Sequence, residues 1–147
     1  MKIFIGCDHA AFSAKESLKK YLMLDHEVED VGTHSTDNCH YPYYAIEVCR
    51  NIIRNPGSVG ILMCASGIGM SIVANRFKGI RAAVCRDIHD AKLSRSHNDA
   101  NILCLGAKMS SPELVKDIST VWLKGIFDSG RHAERIEIFK DYGSDLF

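Results

Sequence analysis

The sequence predicts an α/β protein: a single-domain, Rossmann-like three-layer sandwich in which a five-stranded, mostly parallel sheet carries helices on both faces. Three observations predict this fold. Five short apolar runs recur along the 147 residues, and stretches with apolar residues at helical spacing lie between them. The runs are almost continuously apolar, which is typical of parallel strands covered on both sides. The length suits one domain, which we place at residues 1–147.

The first half of the chain begins with a strand at Ile3–Ile5, which Gly6 ends. A helix follows, because apolar residues recur there at helical spacing while lysines lie elsewhere: Ala11, Ala14, Leu18 and Leu22 against Lys15, Lys19 and Lys20. A second strand is predicted at Val28–Val31. A second helix carries apolar residues from Ala45 to Ile53, and Pro56-Gly57 stops it.

The second half repeats the alternation. The predicted elements are a strand at 59–63, a small-residue turn at 65–69, a helix at 70–77, a strand at 80–85, a polar helix at 87–96 and a strand at 102–105. Ser110 is the predicted N-cap of the next helix, because Pro112 follows in the first turn and Glu113 stands three residues after it. A last helix is predicted to begin near Arg131.

Composition and charge exclude several classes of function. Lys plus Arg and Asp plus Glu both number 18, so the chain lacks the basic excess that nucleic-acid binding needs. No apolar run approaches 18 residues, which argues against a membrane partner. The six cysteines include no CxxC pair, which disfavours a zinc or thioredoxin site, and we expect a reducing cytoplasm.

The strongest local signal is the segment Cys64-Ala65-Ser66-Gly67-Ile68-Gly69. A cysteine ends a strand there, and a glycine-containing loop leads into a helix, whose first N–H groups favour an anion and a thiolate. An ordinary core cysteine before a strand–helix turn is an equally good interpretation of this segment alone. The loop lacks the arginine of a cysteine phosphatase, since position 70 is Met, and the chain has neither GxGxxG after its first strand nor a Walker lysine.

Four further segments carry side chains suited to proton transfer or to ligand binding. Asp8-His9 follows the first strand and suits either proton transfer or a helix N-cap. His97-Asn98-Asp99 is either functional or a solvated helix end. Arg131 and Arg135 stand four residues apart, which suits either a phosphate dianion or a solvated face. Tyr41 is placed to stack on or bond a sugar.

Together these segments resemble the type B ribose-5-phosphate isomerase family, which also contains the galactose-6-phosphate isomerase subunits. The likeness covers almost the whole chain, in order: Gly6-Cys7-Asp8-His9-Ala10, Tyr41-Pro42, Ile61 to Cys64 with Gly67-Ile68-Gly69, Ser71 to Asn75, Gly79 to Ala82, Ser94 to Asp99, and Gly130-Arg131-His132 with Arg135. It implies a cofactor-free and metal-free aldose–ketose isomerase of the pentose phosphate pathway.

The resemblance also implies a role for each site residue. Cys64 is the base that moves a proton between C2 and C1 of an enediolate, Ser66 and the N–H groups of 65–69 stabilise that enediolate, and His97 opens the sugar ring with Asp8 nearby. The substrate-binding residues are His9, Tyr41, Ala65, Gly67, Ile68, Gly69, Asn98, Lys108, Arg131 and Arg135.

The chain departs from the family at four positions: Ala65 and Ser66 replace a common Gly-Thr, His40 replaces a common Asp, and Lys108 replaces an Arg of some members. Hexose 6-phosphates of allose or galactose are therefore alternative substrates. A phosphocysteine carrier of a sugar phosphotransferase system is a less favoured alternative function. The resemblance further implies a homodimer or a dimer of dimers, in which two chains share each active site.

Overall fold

One sheet of five parallel strands organises the chain. The computed structural model describes residues 1–146, and its strands are β1 (Lys2–Cys7), β2 (Glu27–Asp30), β3 (Val59–Cys64), β4 (Ala82–Val84) and β5 (Ile102–Gly106). Their order across the sheet is β2-β1-β3-β5-β4, and every neighbouring pair is parallel. The predicted fold class is confirmed.

Six α-helices connect and flank the strands: α1 (Phe12–Leu22), α2 (Tyr41–Arg54), α3 (Ile68–Ala74), α4 (Ile88–Ser96), α5 (Pro112–Lys124) and α6 (Arg131–Phe139). A short 3-10 helix, His9–Ala11, precedes α1. The third helix ends at Ala74, earlier than predicted, because the Asn75 side chain bonds both the N–H and the C=O of Ala82 at 2.8 Å. No helix in the described part of the chain has the length and hydropathy needed to cross a bilayer.

The sheet buries both of its faces, as the continuously apolar strands predict. Alternate residues of a strand point to opposite sides, so Ile3 and Ile5 join one core cluster while Phe4 joins the other. Helices α1, α4 and α5 cover the first cluster, and α2 and α3 cover the second. The two-sided burial fixes the register of the strands, and so fixes where each strand ends.

The N-cap of α5 differs from the prediction. Ser111, not Ser110, is the cap: its hydroxyl oxygen accepts a hydrogen bond from the N–H of Leu114 at 3.2 Å. Pro112 explains the shift of one residue. Proline fits the first helical position, so the last extended residue is the one immediately before it.

A buried ion pair closes the segment between β2 and α2. The Lys15 side chain is 0% exposed, and its Nζ donates to both carboxylate oxygens of Asp30 at 2.6 Å and to the Thr33 carbonyl at 2.8 Å. Lys19 also donates to Asp30, at 2.7 Å. Burial alone would raise the pKa of Asp30, but the hydrogen bonds from both lysines outweigh it and lower that pKa. The pair anchors the loop that leads to Tyr41.

Candidate active site

The Cys64 loop lies at the carboxyl edge of the sheet. Cys64 is the last residue of β3 and is 6% exposed, and its Sγ accepts a hydrogen bond from the N–H of Gly67 at 3.1 Å. The Ser66 hydroxyl oxygen accepts from the N–H of Ile68 at 3.2 Å, which leaves its own proton available to a ligand. Main-chain groups therefore fix both the thiol and the hydroxyl.

Three glycines allow this loop to pack tightly. Gly67 has a φ of +78°, and a Cβ added there would stand 3.0 Å from the Leu105 main chain. A Cβ on Gly106 would stand 2.9 Å from the main chain of Ser66, and one on Gly69 would stand 2.8 Å from the Tyr41 ring. The loop therefore lies directly on the end of β5, and Tyr41 covers its other side.

Asp8 and His9 reach the same edge from β1. The Asp8 carboxylate accepts from the N–H of Ala10 at 3.1 Å, so it does cap the 3-10 helix. The Nδ1 atom of His9 accepts from the N–H of Cys39 at 3.2 Å, which leaves Nε2 as the protonated nitrogen of a neutral ring. Lys108 completes the group: its N–H donates to the Ala65 carbonyl at 3.0 Å, and its side chain is exposed.

The other cysteines of the cores are unsuited to a basic role. Burial raises the pKa of Cys7 and of Cys49 to about 12 and that of Cys85 to about 11. Burial also raises the pKa of Cys104. Because these thiols stay protonated near neutral pH, they act as small apolar side chains.

His97 and Asn98 lie at the opposite edge of the sheet. Helix α4 starts beyond the carboxyl end of β4 and runs back, so its C-terminal residues lie beside the amino ends of the strands. Arg81, which immediately precedes β4, holds them there. Its Nε donates to the carbonyls of Asn98 and Asp99 at 3.1 and 2.9 Å, and its Nη2 bonds the Asp99 carboxylate at 3.0 Å.

Helix α6 brings its residues to this amino edge as well. The N–H of Asp128 donates to the Ser96 carbonyl at 2.9 Å, which ties the segment before α6 to the end of α4. The His132 ring stacks on the His97 ring with centroids 4.2 Å apart. Desolvation lowers the pKa of His132, as do the nearby His97, Arg131 and Arg135. Both arginines are exposed, so their side chains are open to an anion.

The predicted site residues thus form two groups rather than one. The carboxyl-edge group is Asp8, His9, Tyr41, Cys64, Ala65, Ser66, Gly67, Ile68, Gly69 and Lys108, and the amino-edge group is His97, Asn98, Arg131 and Arg135. Asn101, next to the second group, accepts from Gly60 near the start of β3, whereas Cys64 ends that strand. Four residues at about 3.3 Å each separate Gly60 from Cys64, roughly 13 Å. One chain does not bring Cys64 and His97 together.

Comparison with known proteins identifies the family. The Ribose/Galactose Isomerase family matches residues 3–139. The chain belongs to this family. Ribose-5-phosphate isomerase B of Escherichia coli is 42% identical over 137 residues, or 92% of each chain. D-Erythrulose-4-phosphate isomerase of Pectobacterium atrosepticum is 37% identical over 143 residues, 93% of this chain and 91% of that one.

Solved structures of the ribose/galactose isomerase family share the fold throughout. Ribose 5-phosphate isomerase B of Thermotoga maritima is 48% identical, with a TM-score of 0.92 over 95% of this chain and 97% of that one. Ribose-5-phosphate isomerase B of Mycoplasma genitalium with bound ribulose-5-phosphate is 33% identical, with a TM-score of 0.91 over 95% of this chain and 93% of that one.

Sequence reasoning assigned no role to Arg81, Asp128 or His132, which the structure places close to His97 and Asn98 in this member of the ribose/galactose isomerase family. Arg81 and His132 lie inside segments that carry the family resemblance, and this position was the only indication in the sequence that they belong to the site. The contacts of Asp128 depend on the course of the chain between α5 and α6, and no local pattern indicates it.

Proposed function

We propose that this chain is an aldose–ketose isomerase that interconverts ribose 5-phosphate and ribulose 5-phosphate, as a single domain of residues 1–147 acting in the cytoplasm. The observation that carries the proposal is the Cys64 loop, where a thiol is held beside main-chain N–H groups and the Ser66 hydroxyl at a strand end. The names of its relatives, and the ribulose-5-phosphate bound to the Mycoplasma genitalium structure, support the same substrate.

The proposed chemistry uses Cys64 as the only carbon base. Its thiolate removes the C2 proton of the open aldose and returns it to C1, while the hydroxyl proton passes from O2 to O1. The intermediate is a cis-enediolate. Its negative oxygen faces the Ser66 hydroxyl and the N–H groups of the 65–69 loop, and such preorganised donors are typically worth about 3 kcal/mol each.

The remaining residues bind the substrate and open its ring. His97 exchanges the proton that opens the cyclic sugar, with the Asp8 carboxylate nearby, and Asn98 holds sugar oxygens. Arg131, Arg135 and His9 bind the phosphate, where the planar guanidinium groups match its oxygens. Tyr41 and Lys108 line the same cleft. No cofactor or metal takes part in these steps.

Because Cys64 and His97 lie at opposite edges of one chain, we propose that two copies form each site. The carboxyl edge of one copy would meet the amino edge of the other in a homodimer or a dimer of dimers. An apolar surface next to the Cys64 loop supports this arrangement: Ile68 and Ile72 of α3 are 45% and 61% exposed. Large exposed apolar side chains beside a cleft are typical of an interface.

The direct test of the reaction is turnover by the purified chain alone. We expect interconversion of ribose 5-phosphate and ribulose 5-phosphate, with loss of the C2 proton to solvent. Allose 6-phosphate, galactose 6-phosphate and erythrulose 4-phosphate belong in the same panel, since a relative acts on a four-carbon sugar phosphate. A kcat/KM that is higher for one of these sugars would move the substrate assignment to it.

The test of the shared site mixes two inactive variants, Cys64→Ala and His97→Ala. After joint unfolding and refolding, half of the dimers are mixed, and each mixed dimer has one site with both lesions and one intact site. About a quarter of the activity of the unsubstituted enzyme should return. A verified mixed dimer without activity would show that each site belongs to one chain, while leaving the isomerase assignment in place.

A further inference from the structure

Three potential metal ligands from three different elements converge beside the phosphate-binding arginines. His97 is the C-cap of α4, Asp128 lies between α5 and α6, and His132 lies in the first turn of α6. One ligand atom from each residue lies within 4.8 Å of the other two. Nothing in the proposed isomerisation uses Asp128 or His132.

Hydrogen bonds of the main chain hold these three elements together. The N–H of Asp128 donates to the Ser96 carbonyl at 2.9 Å, next to His97, and the N–H of His132 donates to the Ser129 carbonyl at 3.1 Å, next to Asp128. His132 is 9% exposed, whereas the Asp128 side chain is exposed and free to turn. The backbone positions of the ligand set are therefore largely preformed.

We propose that His97, Asp128 and His132 bind a divalent transition-metal ion, with Zn²⁺ the best match, and that the bound ion inhibits the isomerase. Two imidazoles and one carboxylate suit Zn²⁺ rather than Mg²⁺ or Ca²⁺, which prefer oxygen ligands. Tetrahedral bonds of about 2.0–2.2 Å bring ligand atoms to roughly 3.4 Å from one another. The ligand atoms, now up to 4.8 Å apart, must therefore approach one another by up to about 1.4 Å, and the fourth position is left to water.

Two features of the cluster oppose binding. The rings of His97 and His132 are stacked, 12° from parallel, so each must tilt to direct a nitrogen lone pair at a shared ion. Arg131 and Arg135 add positive charge beside the ion. The carboxylate of Asp128 offsets this charge as well as supplying a ligand atom. Removing it should therefore weaken Zn²⁺ binding more than the loss of one neutral ligand would.

The inhibition rests on the proposed function of His97. The ring nitrogen that coordinates an ion has no lone pair with which to accept a proton, and the other ring nitrogen already carries a hydrogen. His97 would therefore no longer take up the proton that ring opening requires. The ion would also hold the ring away from the substrate. Metal binding at this cluster is independent of that function and is measurable without substrate.

The experiment measures Zn²⁺ binding by calorimetry and isomerase activity with and without Zn²⁺, in a Cys39→Ser background because Cys39 is the partly exposed thiol near His9. The variants are Asp128→Asn and His132→Gln. Their matched controls are Asp117→Asn on α5 and His89→Gln on α4, both exposed and outside the cluster.

We expect one Zn²⁺ per chain, binding weakened at least tenfold by either cluster variant, and no change with either control. In the absence of metal, Asp128→Asn should turn over substrate as fast as the enzyme with the intact cluster. Its inhibition should require at least tenfold more Zn²⁺. A chelator should restore the activity of the Zn²⁺-inhibited enzyme. An affinity for Zn²⁺ that is unchanged in both cluster variants would overturn the proposed site. Binding that depends on the cluster without inhibition would overturn the inhibitory role. If the chain binds Zn²⁺ at the cluster but has no isomerase activity, the proposed function is wrong and the proposed metal site is still supported.

Discussion

The two edges of the sheet carry the two halves of the candidate site in different ways. At the carboxyl edge, short side chains sit on a loop that main-chain hydrogen bonds and close-packed glycines hold in place. At the amino edge, long exposed arginines extend from α6, and Arg81 holds the neighbouring loop through its side chain. The proposed carbon base, Cys64, thus lies on a rigid carboxyl edge. The arginines proposed to bind phosphate lie on an adaptable amino edge, together with His97.

Removing the thiol should give the largest effect and tests the rigid edge. Cys64→Ala should lower kcat on ribose 5-phosphate hundredfold to ten-thousandfold, the usual contribution of a positioned base. Solvent exchange of the C2 proton should fall equally, because both need the same group. Steady-state kinetics and proton exchange followed by NMR measure this.

Cys104→Ala is the matched control, since it removes a buried thiol from the middle of β5. It should change the free energy of unfolding and leave kcat close to that of the unsubstituted enzyme. A Cys64→Ala protein with undiminished kcat would remove Cys64 from the mechanism.

The ion pair below the rigid edge gives the second largest effect. Asp30→Asn leaves Lys15 buried without its main partner, and breaking such a pair typically costs 3–5 kcal/mol. We expect about 3 kcal/mol, at the low end of that range, because Glu16 remains 3.3 Å from the Lys15 Nζ. Denaturant unfolding at pH 7 measures the loss. The control Glu29→Gln breaks an exposed contact with Lys2, which water and salt screen, and should cost far less stability than Asp30→Asn.

The same variant should change the pH dependence of stability. The folded-state pKa of Asp30 is lowered, so its contribution is fully present above the unfolded pKa of about 3.9 and is lost as pH falls through the folded pKa. Asp30→Asn should therefore flatten the acid side of the stability profile. Equal acid slopes in the two proteins would show that the pair does not carry this dependence.

The adaptable edge should respond in binding rather than in folding. Arg135→Ala should weaken binding of ribose 5-phosphate about ten- to a hundredfold, which corresponds to one lost charge-assisted hydrogen bond. Inhibition by inorganic phosphate should weaken in parallel. Arg76→Ala, on an exposed arginine beyond the end of α3, is the control. Unchanged phosphate inhibition in both Arg131→Ala and Arg135→Ala would exclude the phosphate role.

The smallest expected effect sharpens the comparison between the edges. Arg81→Lys keeps the charge but loses the planar fork that bonds Asn98 and Asp99 together. We expect kcat/KM to fall about tenfold or less, mainly through KM, with little change in Tm. A variant that loses activity only in proportion to its loss of folded protein would mean that Arg81 serves stability alone.

The sequence alone was sufficient for the sheet and for the Cys64 loop, because both depend on local patterns: continuous apolar runs, and a strand that ends in small residues. It was insufficient to predict the burial of Lys15, which the helical pattern places away from the apolar face. Its partner, Asp30, lies 15 residues further along the chain in β2, so no local pattern indicates the ion pair. The cap of α5 was misplaced by one residue because Ser110 and Ser111 both suit the role and only the backbone distinguishes them. The contacts of Asp128 and His132 with His97 depend on how α6 folds back on α4.

The strand order has a consequence for the newly made chain. β4 forms its ladder with β5 and lies at the outer edge of the sheet, whereas β5 pairs with β3 on its other side. During synthesis β1, β2 and β3 are able to assemble as they emerge, but β4 has no strand to pair with until β5 follows it. Nascent chains stopped before residue 102 should leave β4 open to exchange and proteolysis, and chains that extend past α5 should protect it.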